Sequence, residues 1–152
     1  MRIILADEHV LFREGLAHLL SAQSGMIVVG SVDSVAMVVT TTINLQADLI
    51  LMDFVLADGT GLEATQAILK HNPDCFIIFL VGQENDERLS AALKQGAKGY
   101  LLKNVSAKKL VSLLRNIILD GATADFPSKS TEIPDHSPNY TSHRNSLNAM
   151  VF

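Results

Sequence analysis

Cys75 is the only cysteine in the 152 residues. One thiol cannot form an internal disulfide, so the fold must rest on a packed core, and the usage fits a reducing compartment. The length suits one domain plus an appendage and is enough to bury such a core. An excess of positive charge is also missing. Lys and Arg number 12 against 16 Asp and Glu, a net charge of −4. Bulk electrostatics therefore do not recruit nucleic acid or an anionic membrane. No apolar run approaches the roughly 18 residues needed to span a bilayer. The opening MRIILADEHV is charged within its first eight residues, unlike a secretory signal. These absences predict a soluble, cytoplasmic protein with no membrane association.

What is present is a regular alternation. The runs IILA (3–6), MIVVGSV (26–32), DLILMDF (48–54), CFIIFLV (75–81) and GYLL (99–102) are short, apolar and β-rich. That texture predicts strands buried on both faces of a parallel sheet. Between them lie segments with helical spacing. Val10, Leu11, Phe12, Leu16, Leu19 and Leu20 form one stripe, with Arg13 and Glu14 outside it. A third helix is predicted from Leu62 to about Leu69, ahead of Asn72-Pro73. A fourth spans 85–96, with Asp86 and Glu87 in its first turn and Gly96 past its end. A fifth runs from Ser106, its N-cap, to about Leu119. The segment AMVVTTTI (36–43) is β-branched and locally favours strand. It is read as helix because consecutive parallel strands need a crossover. Five βα units predict an α/β fold with helices on both faces of one sheet.

Proline is scarce until the chain passes Asp120, and three of the four lie beyond it. There the sequence turns rich in Ser, Thr and Asn, with no apolar period. The chain is thus divided into a 1–120 domain and a 121–152 linker or disordered tail, its final LNAMVF only mildly apolar. No recognition helix or basic stripe is visible in the tail, so no direct DNA binding is expected.

Ligands of parallel α/β sheets bind beyond the carboxyl ends of the strands. Those ends carry Asp7-Glu8, Asp53, Val81-Gly82 and Lys103. Clustered acids repel unless a cation sits among them. Mg²⁺ suits an oxygen-rich site that takes a phosphate. Asp7 or Glu8 together with Asp53 can supply carboxylates, and the Val55 carbonyl a neutral oxygen. Lys103 can pair with Asp53 or with a phosphoryl oxygen. Such a set can accept a phosphoryl group on Asp53 as an acyl phosphate. Singly, each residue has a plainer explanation. Asp7 could cap a helix starting near His9, Asp53 could form a turn, and Lys103 could be a solvated strand end. Their joint placement favours chemistry. Asp58 sits in the string DGT, which is similar to the DxDGT loop of haloacid-dehalogenase-like phosphatases. Leu56 stands where that loop needs its nucleophile, so Asp58-Gly59 and Thr60-Gly61 read as turn residues before the next helix. No enzyme activity is expected.

The segments ILADEHVLFREGL, LILMDFVLADGTGLE and ALKQGAKGYLLKN, in this order, resemble receiver domains of two-component response regulators over about residues 1–118. ADEHVLFREGL resembles the NarL/FixJ-type subfamily, whose members usually carry a LuxR-type helix-turn-helix after the receiver. The resemblance implies a (βα)₅ receiver with strand order 2-1-3-4-5. It implies that Asp53 takes a phosphoryl group from a sensor histidine kinase, that Asp7 and Glu8 hold Mg²⁺, and that Lys103 contacts the phosphoryl group. Tyr100 matches the family's switch aromatic, against the plainer reading of a half-buried strand residue.

The chain departs from the family where Thr or Ser normally ends the fourth strand. Val81 stands there and has no hydroxyl to donate, while Gly82 keeps the small residue that follows. The Gly82 backbone N–H and the Gln83 side chain are partial substitutes. Ala57 and Val10 stand where prolines are common in the family, and Val105 follows Lys103-Asn104; all three lie away from the chemistry. A receiver with weakened switching is expected, with a phosphorylation-independent pseudo-receiver, acting as a protein-interaction module, as the alternative. Leu113, Leu114, Ile117 and Ile118 exceed what one core-facing stripe needs, which leaves room for homodimerisation.

Overall fold

A computed structural model describes residues 1–83 and 87–120. Asp86 and the tail 121–152 lie outside the described residues. The elements in chain order are β1 (Arg2–Ala6), α1 (Val10–Ser21), β2 (Ile27–Val32), α2 (Val35–Leu45), β3 (Leu49–Asp53), α3 (Gly61–His71), β4 (Phe76–Val81), α4 (Arg88–Lys94), β5 (Gly99–Leu102) and α5 (Ala107–Asp120). The five strands pair in parallel in the order β2-β1-β3-β4-β5, as expected. A short antiparallel ladder, Val55–Leu56 with Gly59–Thr60, follows β3.

The strands alternate between two cores. Ile3, Leu5, Leu49, Leu51, Ile78 and Leu80 pack with Leu16 and Leu20 of α1 and Leu110, Leu114 and Ile117 of α5. Ile4, Ile50, Met52, Ile77 and Phe79 pack with residues of α2, α3 and α4 on the opposite face. Both faces of β3 are buried, which is why its sequence shows no polar alternation. Each fully buried Leu or Ile contributes roughly 1.5–3 kcal/mol. Three of the four apolar residues noted on α5 are used in this core: Leu114 and Ile117 are buried and Leu113 is partly so. Exposed apolar side chains remain at Val10, Leu11, Ile118 and Leu119. Cys75 is buried, and desolvation, with the charge of Asp48, pushes its thiol up to about 12.

The β-branched α2 is helical, and its caps show why. The Ser34 side chain accepts from the Met37 N–H at 3.3 Å. The Asp58 carboxylate accepts from the Val35 and Ala36 N–H groups at 2.5 and 3.2 Å. Buried Thr42 returns its hydroxyl to the Val38 carbonyl at 2.6 Å, so no polar group is stranded. α3 begins with a capping box of Thr60 and Glu63, and the Ser106 side chain accepts from the Lys109 N–H at the start of α5. α4 is shorter than its spacing suggested, starting at Arg88, with Gly96 at a φ of +109° just beyond it.

Asp58 is thus a cap supplied to α2 from a distant turn. Its backbone donors hold the carboxyl below its ordinary value of 3.8. A lowered folded value means that stabilisation is present above the ordinary range and is lost as pH falls through the folded value. Asp58→Ala should therefore lower the thermal midpoint at pH 7. The gap from wild type, followed by circular dichroism, should close as the pH is taken through the acid range. A gap that persists after protonation would rule out the charged cap.

Candidate functional site

The order of the sheet brings the ends of β1, β3 and β5 to one rim. Asp7 follows β1 and is 1% exposed, while Asp53 closes β3 and is 8% exposed. Lys103 follows β5, its backbone N–H held by the Val81 carbonyl at 2.7 Å. Its Nζ lies 2.5 Å from Asp53 Oδ2 and 2.7 Å from Asp7 Oδ2. Burial alone would push the lysine down. Its hydrogen bonds to Asp53 and Asp7, together with their charges, outweigh that and leave it above its ordinary value.

Asp7 divides its work between two oxygens. Oδ1 accepts from the His9 backbone N–H at 2.8 Å and lies 2.9 Å from His9 Nδ1. This is a turn ahead of α1, and the helix itself is capped from His9 with no side-chain bond. The turn-forming reading therefore accounts for one oxygen only. Oδ2 is buried and pairs with the Lys103 ammonium 2.7 Å away. The Asp7 carbonyl accepts from the Arg13 guanidinium, which also donates to Ser31 Oγ at 3.0 Å. Asp53 Oδ1 accepts from the Val55 N–H at 3.3 Å.

The remaining expected residues surround this basin unevenly. Glu8 is exposed. Val55 starts the short ladder and is 44% exposed. Val81 is buried at the end of β4, and Gly82 beyond it is exposed, with open space where a Cβ would project. Tyr100 is half-buried in β5, opposite Phe79 and against the core on the α2–α4 side.

Three features were not read from the sequence. His9 joins Asp7 and Asp53 in a group whose ligand-capable atoms lie within 4.8 Å of one another. Its place directly after the acid pair was the available signal. Arg13 reaches back to Asp7, which only its position one turn into α1 hints at. Phe54, the residue after Asp53, stacks on Phe79 with centroids 4.3 Å apart and carries the Arg88 guanidinium 4.5 Å above its ring. That stack links α4 to the strand end bearing Asp53. Gly61 brings the start of α3 close to this strand end. Its N–H bonds the Phe54 carbonyl at 2.9 Å, and a Cβ there would lie 2.3 Å from the Asp53 carbonyl oxygen.

A sequence profile of the response regulator receiver domain matches residues 3–115. The chain belongs to this family. It is 32% identical to the oxygen regulatory protein NreC of Staphylococcus carnosus over 142 residues, 93% of this chain and 65% of that protein. It is 34% identical to the response regulator VraR of Staphylococcus aureus over 115 residues, 76% of this chain and 55% of that protein. The chain thus spans between a little over half and just under two thirds of the length of these relatives. Among solved structures, a LuxR-family response regulator from Aurantimonas superposes with a TM-score of 0.72 at 26% identity, over 78% of this chain and 85% of that one. The receiver domain of NarL from Mycobacterium tuberculosis gives 0.70 at 27% identity, over 81% and 96%. Among the described residues no helix is long and apolar enough to cross a membrane.

The family implies Mg²⁺, and the donors fit it. Two carboxylates face one basin, and the ammonium beside them is on a mobile stem that can yield to a cation.

Lys103 holds two nearly dry negative charges together. Lys103→Met should therefore lower stability by about 2–4 kcal/mol without added divalent cation, because it leaves both carboxylates uncompensated. Adding Asp53→Asn to that variant should recover part of the loss. Urea unfolding of the four species in this cycle measures both. Additive losses would show that the ion pairs carry no coupling.

Proposed function

We propose that this receiver accepts a phosphoryl group on Asp53 from a sensor histidine kinase. The observation that supports it best is the Lys103 ammonium lying between Asp53 and Asp7 at the end of the sheet. A carboxylate oxygen of Asp53 attacks phosphorus, the P–N bond to the kinase histidine breaks, and the acyl phosphate P–O bond forms. The leaving imidazole takes up a proton. Asp53 is positioned by its strand, by the Val55 N–H and by the close approach of Gly61. Lys103 is held by Val81 at its base and turns from Asp53 to the new phosphoryl oxygens. Mg²⁺, held by Asp7, Glu8, Asp53 and the Val55 carbonyl, supplies charge neutralisation when bound.

The response to phosphorylation is weakened in this reading. Val81 offers no hydroxyl, and a hydrogen bond to a charged group is worth roughly 1.5–3 kcal/mol. A loss of that size shifts a two-state switch about tenfold or more. The Gly82 N–H and Gln83 remain as donors, and Tyr100 is the aromatic that would respond. Val81 also supports the second reading, a pseudo-receiver that binds protein partners without phosphate. The intact Asp7, Asp53 and Lys103 basin favours the first. The exposed Val10 and Leu11 of α1 and Ile118 and Leu119 of α5 support homodimerisation.

Incubation with acetyl phosphate and Mg²⁺ should add one phosphate by intact mass, and Asp53→Ala should abolish it. An adduct that survives this substitution refutes the assignment, and no adduct on wild type leaves the pseudo-receiver. Beryllofluoride titration followed by NMR should shift resonances near residues 7, 53 and 103 with little change at Tyr100. Val81→Thr should extend the shifts to Tyr100. Large shifts from residue 81 to Tyr100 in wild type would contradict the weakened switch.

A further inference from the structure

We propose that the segment LNAMVF, residues 147–152, docks in an apolar groove between α1 and α5, so that the chain covers this face with its own tail. The groove is lined by Leu11, Phe12 and Leu19 of α1 and by Leu102, Val105 and Leu110 from the end of β5 into α5, and its volume is about 330 Å³. Leu11 is 85% exposed on the α1 side. Covering such side chains removes apolar surface from water, which is the driving force for an occupant. Among the described residues that line the groove, only Lys103 is charged. Its ammonium is already taken up by Asp53 and Asp7, so an occupant meets mostly carbon. A charged partner gains little here, and a short uncharged apolar segment fits.

The chain holds such a segment within reach. In LNAMVF five of the six residues are apolar and none is charged. The connecting residues 121–146 differ. Asp125, Lys129, Glu132, Asp135 and Arg144 recur through them, and the large apolar side chains Phe126, Ile133 and Tyr140 stand singly. α5 supplies Leu110 to the groove and ends at Asp120, where the tail leaves. At a rise of about 1.5 Å per residue, the way back from Asp120 to Leu110 is about 15 Å. Residues 121–146 as a coil have a root-mean-square reach of about 25–30 Å. The tether covers the distance without being stretched and holds the segment at an effective concentration of the order of millimolar. A second copy in micromolar solution is at a large disadvantage for the same groove.

The position of the groove gives docking a consequence. Phe12 lines it, and the Lys103 Nζ lies 5.1 Å from the centroid of that ring. An occupant therefore touches the same wall that carries the lysine of the acidic basin. It also withdraws Leu11 from contact with a second copy, so the docked tail and a dimer formed through this face exclude one another. Docking needs only the groove and the tether, and does not depend on phosphoryl transfer to Asp53.

Methyl NMR on the 152-residue chain tests this. Nuclear Overhauser contacts should connect the Met150 methyl with those of Leu11, Leu19 and Leu110, and Met150→Asp should remove them. In a mixture of labelled and unlabelled chains, filtered contacts between chains should be absent. Met150→Asp combined with Phe152→Asp should move the amide resonances of residues lining the groove and leave those of β2 in place. Gly15 supplies the control on the groove side. It lines the groove, is exposed, and a Cβ there meets nothing within 4 Å. Gly15→Glu puts a charge on the docking face without a clash, and replacing a helical glycine favours the helix. The Met150 contacts should be lost in this variant, with thermal unfolding confirming that it folds. Absence of the contacts in wild type, or their survival in Gly15→Glu, overturns the proposal. Contacts found only between chains make a second copy the occupant and overturn it as well.

Discussion

Two carboxylates stand at the end of the sheet with almost no access to water, and one ammonium is within ion-pair distance of both. Asp7 and Asp53 come from adjacent strands, and Lys103 arrives from the edge of the sheet. Like charges so placed repel strongly in a poorly solvated setting. The lysine offsets that repulsion, and the carboxylates in turn keep it charged against the desolvation it suffers. The fold tolerates an acidic basin because it carries its own counter-charge. That counter-charge is on a mobile stem, so it can yield to a divalent cation or follow a transferred anionic group.

The surroundings hold this basin in place by contacts that have little to do with charge. Gly61 lets the first turn of α3 lie against the last carbonyl of β3. Phe54 leaves the strand just past Asp53 and contacts both the Phe79 ring and the Arg88 guanidinium. Arg13 bonds the carbonyl of Asp7 and reaches across to β2. Each of these ties a rim residue to a different helix or strand. The Phe54 contacts thus join the strand end bearing Asp53 to α4. This contact differs in kind from a hydrogen bond, since an aromatic face holds a cation over a broad range of positions.

Much of this was legible in the order of residues. The five apolar runs mark buried strands because parallel strands bury both faces, and strand ends in such a sheet converge on one rim. Asp7, Asp53 and Lys103 follow from that geometry. α2 was legible only through topology, since its β-branched residues favour strand and its caps include a carboxylate 23 positions away. The role of Asp58 was hidden for the same reason: a turn residue becomes a helix cap only once the chain has folded. The surplus apolar residues of α5 suggested a second face, yet Leu113, Leu114 and Ile117 are drawn into the core. His9 was overlooked because a histidine before a helix has many uses, and only its distance to two carboxylates singles it out.

Cys75 has a practical consequence. It is buried, and its thiol resists ionisation up to about 12, so near neutral pH the nucleophilic thiolate is scarce in the folded protein. The chain contains no other cysteine. A cysteine introduced on an exposed helix would then be the preferred target of a maleimide dye or a nitroxide. Spectroscopic reporters can be attached one at a time without first deleting the natural sulfhydryl.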